Sequence, residues 1–99
     1  MLTKTPSSDP NKVVVAFEFP AASWVAAVHL AGDFNQWDER GLPLGVINGR
    51  QVWQVKLELD RGAAYQFRYL VNQETWHNDW HADGYVPNIH GSDNSVVIT

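Results

Sequence analysis

The chain has 99 residues, a formal net charge of −4 and no cysteine. This length suits one domain, and without cysteine neither a disulfide nor thiolate chemistry can support the fold. A net negative charge repels phosphate backbones, so the composition predicts a single domain held by an apolar core and no nucleic acid among its partners.

The start of the chain is rich in proline and serine and has no apolar stretch that resembles a signal peptide. No run of about eighteen apolar residues occurs, so no membrane-spanning segment is predicted. Residues 1–11 are expected to form a flexible segment and residues 12–99 the domain itself. These features predict a cytoplasmic protein that does not associate with a membrane.

The first half of the chain predicts three strands. Residues 13–19 are β-branched and aromatic and end at a proline. Residues 23–31 alternate between two faces and end at a glycine. A turn-rich loop follows, and residues 42–47 predict a short edge strand. This strand leads into Asn48-Gly49, a pair typical of a two-residue hairpin.

Two longer strands are predicted next. Residues 51–59 alternate between apolar and polar side chains, which predicts a strand with one face on the core. Trp53 belongs to the apolar face and is therefore assigned to the core. After a turn, residues 63–71 alternate again, with aromatic side chains on the inner face. Arg68 occupies an outward position in this strand and is predicted to leave the core.

The remainder of the chain is predicted to be mostly irregular. Residues 72–93 are polar and turn-rich, whereas residues 94–99 supply a final strand. No helical period appears in the sequence. Six to eight short strands, with turns about ten residues apart, predict an all-β, immunoglobulin-like antiparallel β-sandwich.

Four blocks of the sequence carry a resemblance to a known family. They are residues 28–37, 65–71, 76–79 and 91–97. These blocks resemble carbohydrate-binding module family 48, the glycogen- and starch-binding modules of AMP-activated kinase beta subunits and of the N-terminal side of isoamylases, pullulanases and branching enzymes. Residues 85–88, followed by the last block, look most like the small stand-alone bacterial members called isoamylase early-set domains. The resemblance spans almost the whole chain and implies the same sandwich fold.

Two tryptophans and two polar residues form the site that the resemblance implies. It is an α-1,4-glucan site in which Trp37 and Trp76 stack on glucose rings while Arg68 and Asn94 hydrogen-bond the hydroxyls. The residues agree with this hypothesis, because both tryptophans have polar neighbours and an indole offers a flat apolar face to a pyranose. A planar guanidinium has several donors for adjacent hydroxyls. Asn94 has a second interpretation, as a cap of the turn before the last strand.

Further contacts are implied around this site. Trp80, His90 and Ser92 are further candidates for contact with the sugar; compared with the family, His90 stands where the kinase modules carry a leucine and Trp80 where a proline is common. Asp33 is expected to support its own loop through side-chain to backbone hydrogen bonds. No cofactor and no metal are expected. The expected partners are an α-1,4-glucan polysaccharide or oligosaccharide and a glycogen- or starch-metabolising enzyme.

Two other classes of function remain open. A protein-interaction module would use the same tryptophans, or an open sheet edge, to dock an amylolytic enzyme or a kinase. Histidine and aspartate alternate between residues 77 and 83, and alternate positions of a strand share one face, so a metal-dependent enzyme is a third hypothesis. No Asp or Glu lies in the apolar sequence context that a general acid for glycoside hydrolysis needs, so no enzymatic activity is predicted.

Overall fold

The computed structural model describes residues 1–38, 40–47, 49, 51–89 and 91–99. Within them the chain forms ten β-strands and one short 3-10 turn, Asp33–Asn35. The strands are β1 (Leu2–Pro6), β2 (Lys12–Pro20), β3 (Val28–Gly32), β4 (Leu42–Pro43), β5 (Gly45–Ile47), β6 (Val52–Asp60), β7 (Ala64–Val71), β8 (Thr75–His77), β9 (Gly84–Pro87) and β10 (Asp93–Ile98).

The strands form two antiparallel sheets that pack into a sandwich. One sheet has the order β1-β2-β6-β5, and the other has the order β4-β3-β7-β10-β9 with β8 also paired to β7. The predicted all-β, immunoglobulin-like sandwich is confirmed. Its strands outnumber the six to eight predicted, because the chain start and the segment 72–93 also contribute short strands.

Aromatic side chains from both sheets fill the core. Phe17 on β2 and Phe67 on β7 are completely buried, and their rings meet edge to face with centroids 5.0 Å apart. Fully burying such a side chain contributes roughly 1.5–3 kcal/mol to folding. Trp53 packs against this core with part of its surface exposed, which confirms its assignment to the inner face.

The segment before β3 differs from its predicted form. The sequence predicts a strand over residues 23–31, and β3 covers only the second half of that range. The Asn72 side chain explains the difference. Its Oδ1 accepts hydrogen bonds from the backbone N–H groups of Ala26 and Ala27, and its Nδ2 donates to the Trp24 carbonyl oxygen. These bonds satisfy the backbone of the segment without a partner strand.

The predicted edge strand over residues 42–47 is divided between the two sheets. β4 pairs with β3, whereas β5 pairs with β6. Leu44 lies between them, is buried, and donates its backbone N–H to the Val28 carbonyl oxygen. The chain then reverses between the antiparallel neighbours β5 and β6 as predicted, but Ile47 pairs with Val52, so four residues (48–51) connect the strands instead of the two predicted. Of the predicted hairpin pair, Asn48 lies outside the described residues.

Strand β1 lies where the sequence predicts no strand. Its side chains are mostly polar and exposed, so they carry no readable pattern, yet the strand pairs with β2 along its length. Lys4 adds an ion pair to Asp83, with 2.7 Å between Nζ and Oδ2. Strand pairing therefore begins ahead of residue 12, and the flexibility of residues 1–11 stays a prediction. In the described part of the chain, no helix is long and apolar enough to cross a bilayer.

Candidate functional site

Strand β7 supplies the floor of the candidate site. Phe67 points into the core, so Gln66 and Arg68 on either side of it point to the opposite face of the sheet. β3 and β10 flank β7 there. On β10, Asn94 precedes Ser95, which is the register partner of Phe67, and it therefore shares the outer face.

An open groove of about 920 Å³ lies over this outer face. Its walls come from β8, from the loop after β3 and from the connection between β9 and β10. The lining residues are Trp37, Gln66, Arg68, Trp76, Pro87, Asn88, Ile89 and Asn94. The structure thus brings together the four residues that the sequence analysis placed at the centre of a glucan site.

Trp37 is held in place by its own loop and by β7. Gln36 and Trp37 both adopt left-handed backbone conformations, each with φ of 56°. The indole Nε1 of Trp37 donates to Oδ1 of Asp33 at 2.9 Å, and Oδ2 of Asp33 accepts the backbone N–H of Gln66 at 2.7 Å. One carboxylate therefore ties the half-buried indole to the floor strand. The sequence predicted that Asp33 bonds the backbone of its own loop, whereas its hydrogen bonds join the Trp37 side chain to the backbone of β7.

Close approach of the loop to β7 depends on Gly32. A Cβ at this position would collide with the carbonyl oxygen of Gln66 and crowd the Phe34 ring. The absent side chain lets β3 run directly into the 3-10 turn beside β7. Trp37 follows that turn and donates its backbone N–H to the Gly32 carbonyl oxygen at 2.9 Å.

Trp76 is directed outward by the alternation of β8. It pairs in register with Leu70 of β7 and is 37% exposed. Its neighbours Thr75 and His77 point the other way, and the His77 ring packs on Phe19 with centroids 5.6 Å apart. Because His77 is anchored to the core, the Trp76 indole is presented on the wall of the groove.

Arg68 is half-buried between the two indoles. Its Nε is buried and has no hydrogen-bond partner in the part of the chain that the structure describes. No carboxylate of the described residues lies within ion-pair distance of it, since the ion pairs there use other cations. A buried donor without an acceptor costs free energy, which a ligand oxygen would recover.

Side-chain amides continue the polar strip beside Arg68. Asn88 Nδ2 donates to Asn94 Oδ1 at 3.1 Å, and Asn94 Nδ2 donates to Gln66 Oε1 at 3.1 Å. Asn94 therefore bonds to side chains across the sheet. The turn before β10 is closed by Asn88, whose backbone N–H donates to the Ser92 carbonyl oxygen. The predicted turn-cap role thus belongs to Asn88.

Four groove residues were not predicted as site residues: Gln66, Pro87, Asn88 and Ile89. Gln66 had a usable signal, because it shares the outward face of a strand with Arg68. Ile89 is 95% exposed at the groove, and an isolated apolar residue in a polar turn is a weaker signal of the same kind. Asn88 had none, because its position is set by strand pairing between β9 and β10.

The remaining predicted contacts lie elsewhere. Trp80 is 73% exposed and lines a separate cavity of about 350 Å³ together with Phe19 and Pro20. Ser92 accepts a hydrogen bond from Asn88 Nδ2 at 3.0 Å and is not among the groove residues. His90 lies outside the described residues.

Three of the alternating histidines and aspartates, His77, Asp79 and Asp83, have side chains engaged in structural contacts. Asp79 is buried, accepts a hydrogen bond from the Tyr69 hydroxyl at 2.7 Å and pairs with the Met1 ammonium group. Burial and the neighbouring Asp79 carboxylate raise the pKa of Tyr69 well above its usual value. Among the described residues, no group of three or more His, Cys, Asp or Glu is placed to hold a metal ion.

Comparison with known families gives one match. A family model described as Carbohydrate-binding module 48 (Isoamylase N-terminal domain) matches residues 4–86. The matched range includes Trp37, Arg68 and Trp76 and ends before Asn88 and Asn94. No curated protein matches the chain.

Solved structures give the same fold, and 46 chains match. One is the crystal structure of the enterobactin esterase FES from Shigella flexneri in the presence of 2,3-di-hydroxy-N-benzoyl-serine. The alignment has a TM-score of 0.75 and 11% sequence identity, and it covers 98% of this chain and 32% of the esterase chain. At this identity the likeness shows the fold alone.

Proposed function

The chain belongs to the carbohydrate-binding module 48 family, and from this membership we propose that it is a non-catalytic module that binds α-1,4-glucans such as glycogen, starch and maltooligosaccharides. Trp37 and Trp76 stack on glucose rings, and Arg68 and Asn94 bond the sugar hydroxyls. The module then acts by holding its chain, or an enzyme associated with it, on the polysaccharide.

The observation that carries the proposal is the shared groove. Trp37 and Trp76 both line it, and the floor between them presents a guanidinium and side-chain amides. Indole faces match the C–H faces of pyranose rings, while amide and guanidinium groups match hydroxyls that both donate and accept. The Asp33 anchor limits the entropy lost when the Trp37 ring meets a sugar.

The geometry of the groove also indicates the expected affinity for a glucan. An open groove orders a flexible oligosaccharide and buries modest area, so one site should bind with a Kd on the order of micromolar to millimolar. Weak sites of this kind function through multivalent attachment to a polymer.

Tryptophan fluorescence titrated with maltoheptaose tests the proposal, because the two platforms are themselves reporters. Saturable change in the wild-type protein is expected, with loss of affinity in Trp37→Ala and in Trp76→Ala. Trp80→Ala is the matched control, since it removes an exposed indole that lies outside the groove. No saturable change at millimolar maltoheptaose, or equal loss in the Trp80 variant, would overturn the glucan site.

A second candidate, a protein-docking module, is favoured by exposed indoles away from the groove. Trp24 is 56% exposed and Trp80 is 73% exposed. The partner would be a glycogen- or starch-metabolising enzyme. Retention on a glycogen affinity gel separates the candidates. A module that only docks a protein would pass through the gel unretarded. A module with a glucan site would be retained, and the Trp37→Ala substitution would abolish this retention.

A further inference from the structure

Arg68 differs from the other cations that the structure describes. Lys4, Lys12 and Arg40 each have a carboxylate within ion-pair distance, and Lys56 and Arg61 are exposed to solvent. Arg68 is half-buried, and no described residue compensates its charge. A cation that is partly desolvated and unpaired carries a free-energy cost that neutral hydroxyl partners offset only in part.

The surroundings of Arg68 leave this charge available. Of the eight groove residues given above, it alone is ionised, and the rest of the lining is aromatic, apolar or amide. The nearby carboxylate of Asp33 is occupied by the Trp37 indole and the Gln66 backbone. Among the described residues, no carboxylate forms an ion pair with the guanidinium and the buried Nε has no acceptor.

The shape of the Arg68 side chain points the same way. A guanidinium presents its donors in a planar fork that matches the paired oxygens of a phosphate group. The planar fork and the counter-charge missing among the described residues are both accounted for by an anionic substituent on the sugar.

We propose that the groove prefers α-glucans that carry phosphate monoesters, with the phosphate oxygens on the Arg68 guanidinium and the flanking glucose units on Trp37 and Trp76. This inference rests on the proposed glucan site and adds the class of substituted substrate to it. The net charge of −4 opposes an anion at long range, so the preference comes from the direct contact.

The experiment compares one ligand preparation in two states. Maltoheptaose phosphorylated on one glucose unit is titrated by tryptophan fluorescence before and after treatment with alkaline phosphatase. The phosphorylated form is expected to bind on the order of tenfold more tightly at low ionic strength, because a charge-assisted pair replaces a neutral hydrogen bond. That ratio should shrink in high salt, whereas the Kd of the neutral form should change far less.

The variants assign the preference to one side chain. Arg68→Gln should weaken the binding of both ligands. It should also reduce the ratio of the two Kd values to about one, since glutamine keeps amide donors without the charge. Arg61→Gln is the matched control, because it removes an exposed arginine that is not part of the groove, and it should keep the tenfold ratio.

The outcomes distinguish a failure of the phosphate preference from a failure of the proposed glucan binding. Neutral maltoheptaose that binds with no gain from the phosphate would overturn the phosphate preference and leave the glucan site standing. A gain that survives in Arg68→Gln would overturn the role of Arg68. No binding of the neutral form would instead overturn the proposed function itself.

Discussion

Asp33 shows how a single carboxylate can set the geometry of a binding surface. It accepts hydrogen bonds from the Trp37 indole and from the backbone of β7, and it thereby links that ring to the floor strand. A platform that is ordered before binding loses less entropy when a sugar arrives. The glucan affinity should therefore depend on a residue that need not touch the glucan.

Replacement of Asp33 tests this dependence. Asp33→Ala should weaken maltoheptaose binding about threefold to tenfold, since the loss of one charge-assisted hydrogen bond frees the ring. Fluorescence titration measures the Kd. Asp38→Ala is the control, because this exposed carboxylate of the same loop bonds the Arg40 backbone instead. Equal Kd values for the wild type and Asp33→Ala would contradict the positioning role.

Ile89 offers a second test at the same scale. It is 95% exposed and lies at the groove, so a bound sugar would remove part of its apolar surface from water. Ile89→Ser should weaken glucan binding by about twofold to fivefold, because each Å² of apolar surface that the sugar no longer buries costs roughly 25 cal/mol of binding free energy. Ile98→Ser, at an isoleucine that is 53% exposed and outside the groove, should leave the Kd unchanged in the same titration.

The sequence could predict the site residues whose chemistry is visible in isolation. Trp37 and Trp76 are large aromatic residues in polar stretches. Arg68 occupies an outward position in a strand whose side chains alternate between the core and the opposite face. The Asn88 contact could not be predicted, because it depends on which strands become neighbours. Its amide meets Asn94 only because β9 pairs with β10.

At the scale of elements, the alternation of apolar and polar residues predicted the long strands. It failed where a side chain, and not a neighbouring strand, bonds the backbone. β6 and β7 are long enough to show alternation, and their bounds agree with the sequence within one residue at each end. The segment before β3 alternates in sequence but is bonded by the Asn72 side chain instead of a strand. A contact across 46 residues leaves no local pattern.

The clamp made by Asn72 gives a prediction for stability. Asn72→Ala should lower the free energy of unfolding by about 2 kcal/mol, because two backbone N–H groups and one carbonyl oxygen lose their partner and because alanine disfavours φ of 55°. Urea denaturation measures the change. Gln73→Ala is a matched control in the same turn, with φ of 58° and without these bonds, and it should cost clearly less. Similar losses for both variants would contradict the role of these hydrogen bonds.

One carboxylate connects the first and the last strand of the molecule. Asp83 accepts hydrogen bonds from Lys4 on β1 and from the backbone N–H of Ile98 on β10. Burial raises the pKa of Asp83, but the Ile98 N–H and the Lys4 ammonium group outweigh it and hold that pKa below its usual value. The carboxylate thus connects the two sheets through the edge strand β1 of one sheet and through β10 of the other.

This lowered pKa predicts how stability depends on pH. A carboxyl group with a lower pKa in the folded state stabilises the protein above its unfolded pKa of about 3.9, and that stability is lost as the pH falls through the folded value. Asp83→Asn should therefore lower the urea midpoint at pH 7, and the difference from the wild type should shrink as the pH drops below about 4. Asp93→Asn, an exposed acid on the same final strand, should give a smaller and flatter difference. A difference for Asp83→Asn that stays constant from pH 7 to pH 3 would show that the charge of this group does not couple β1 to β10.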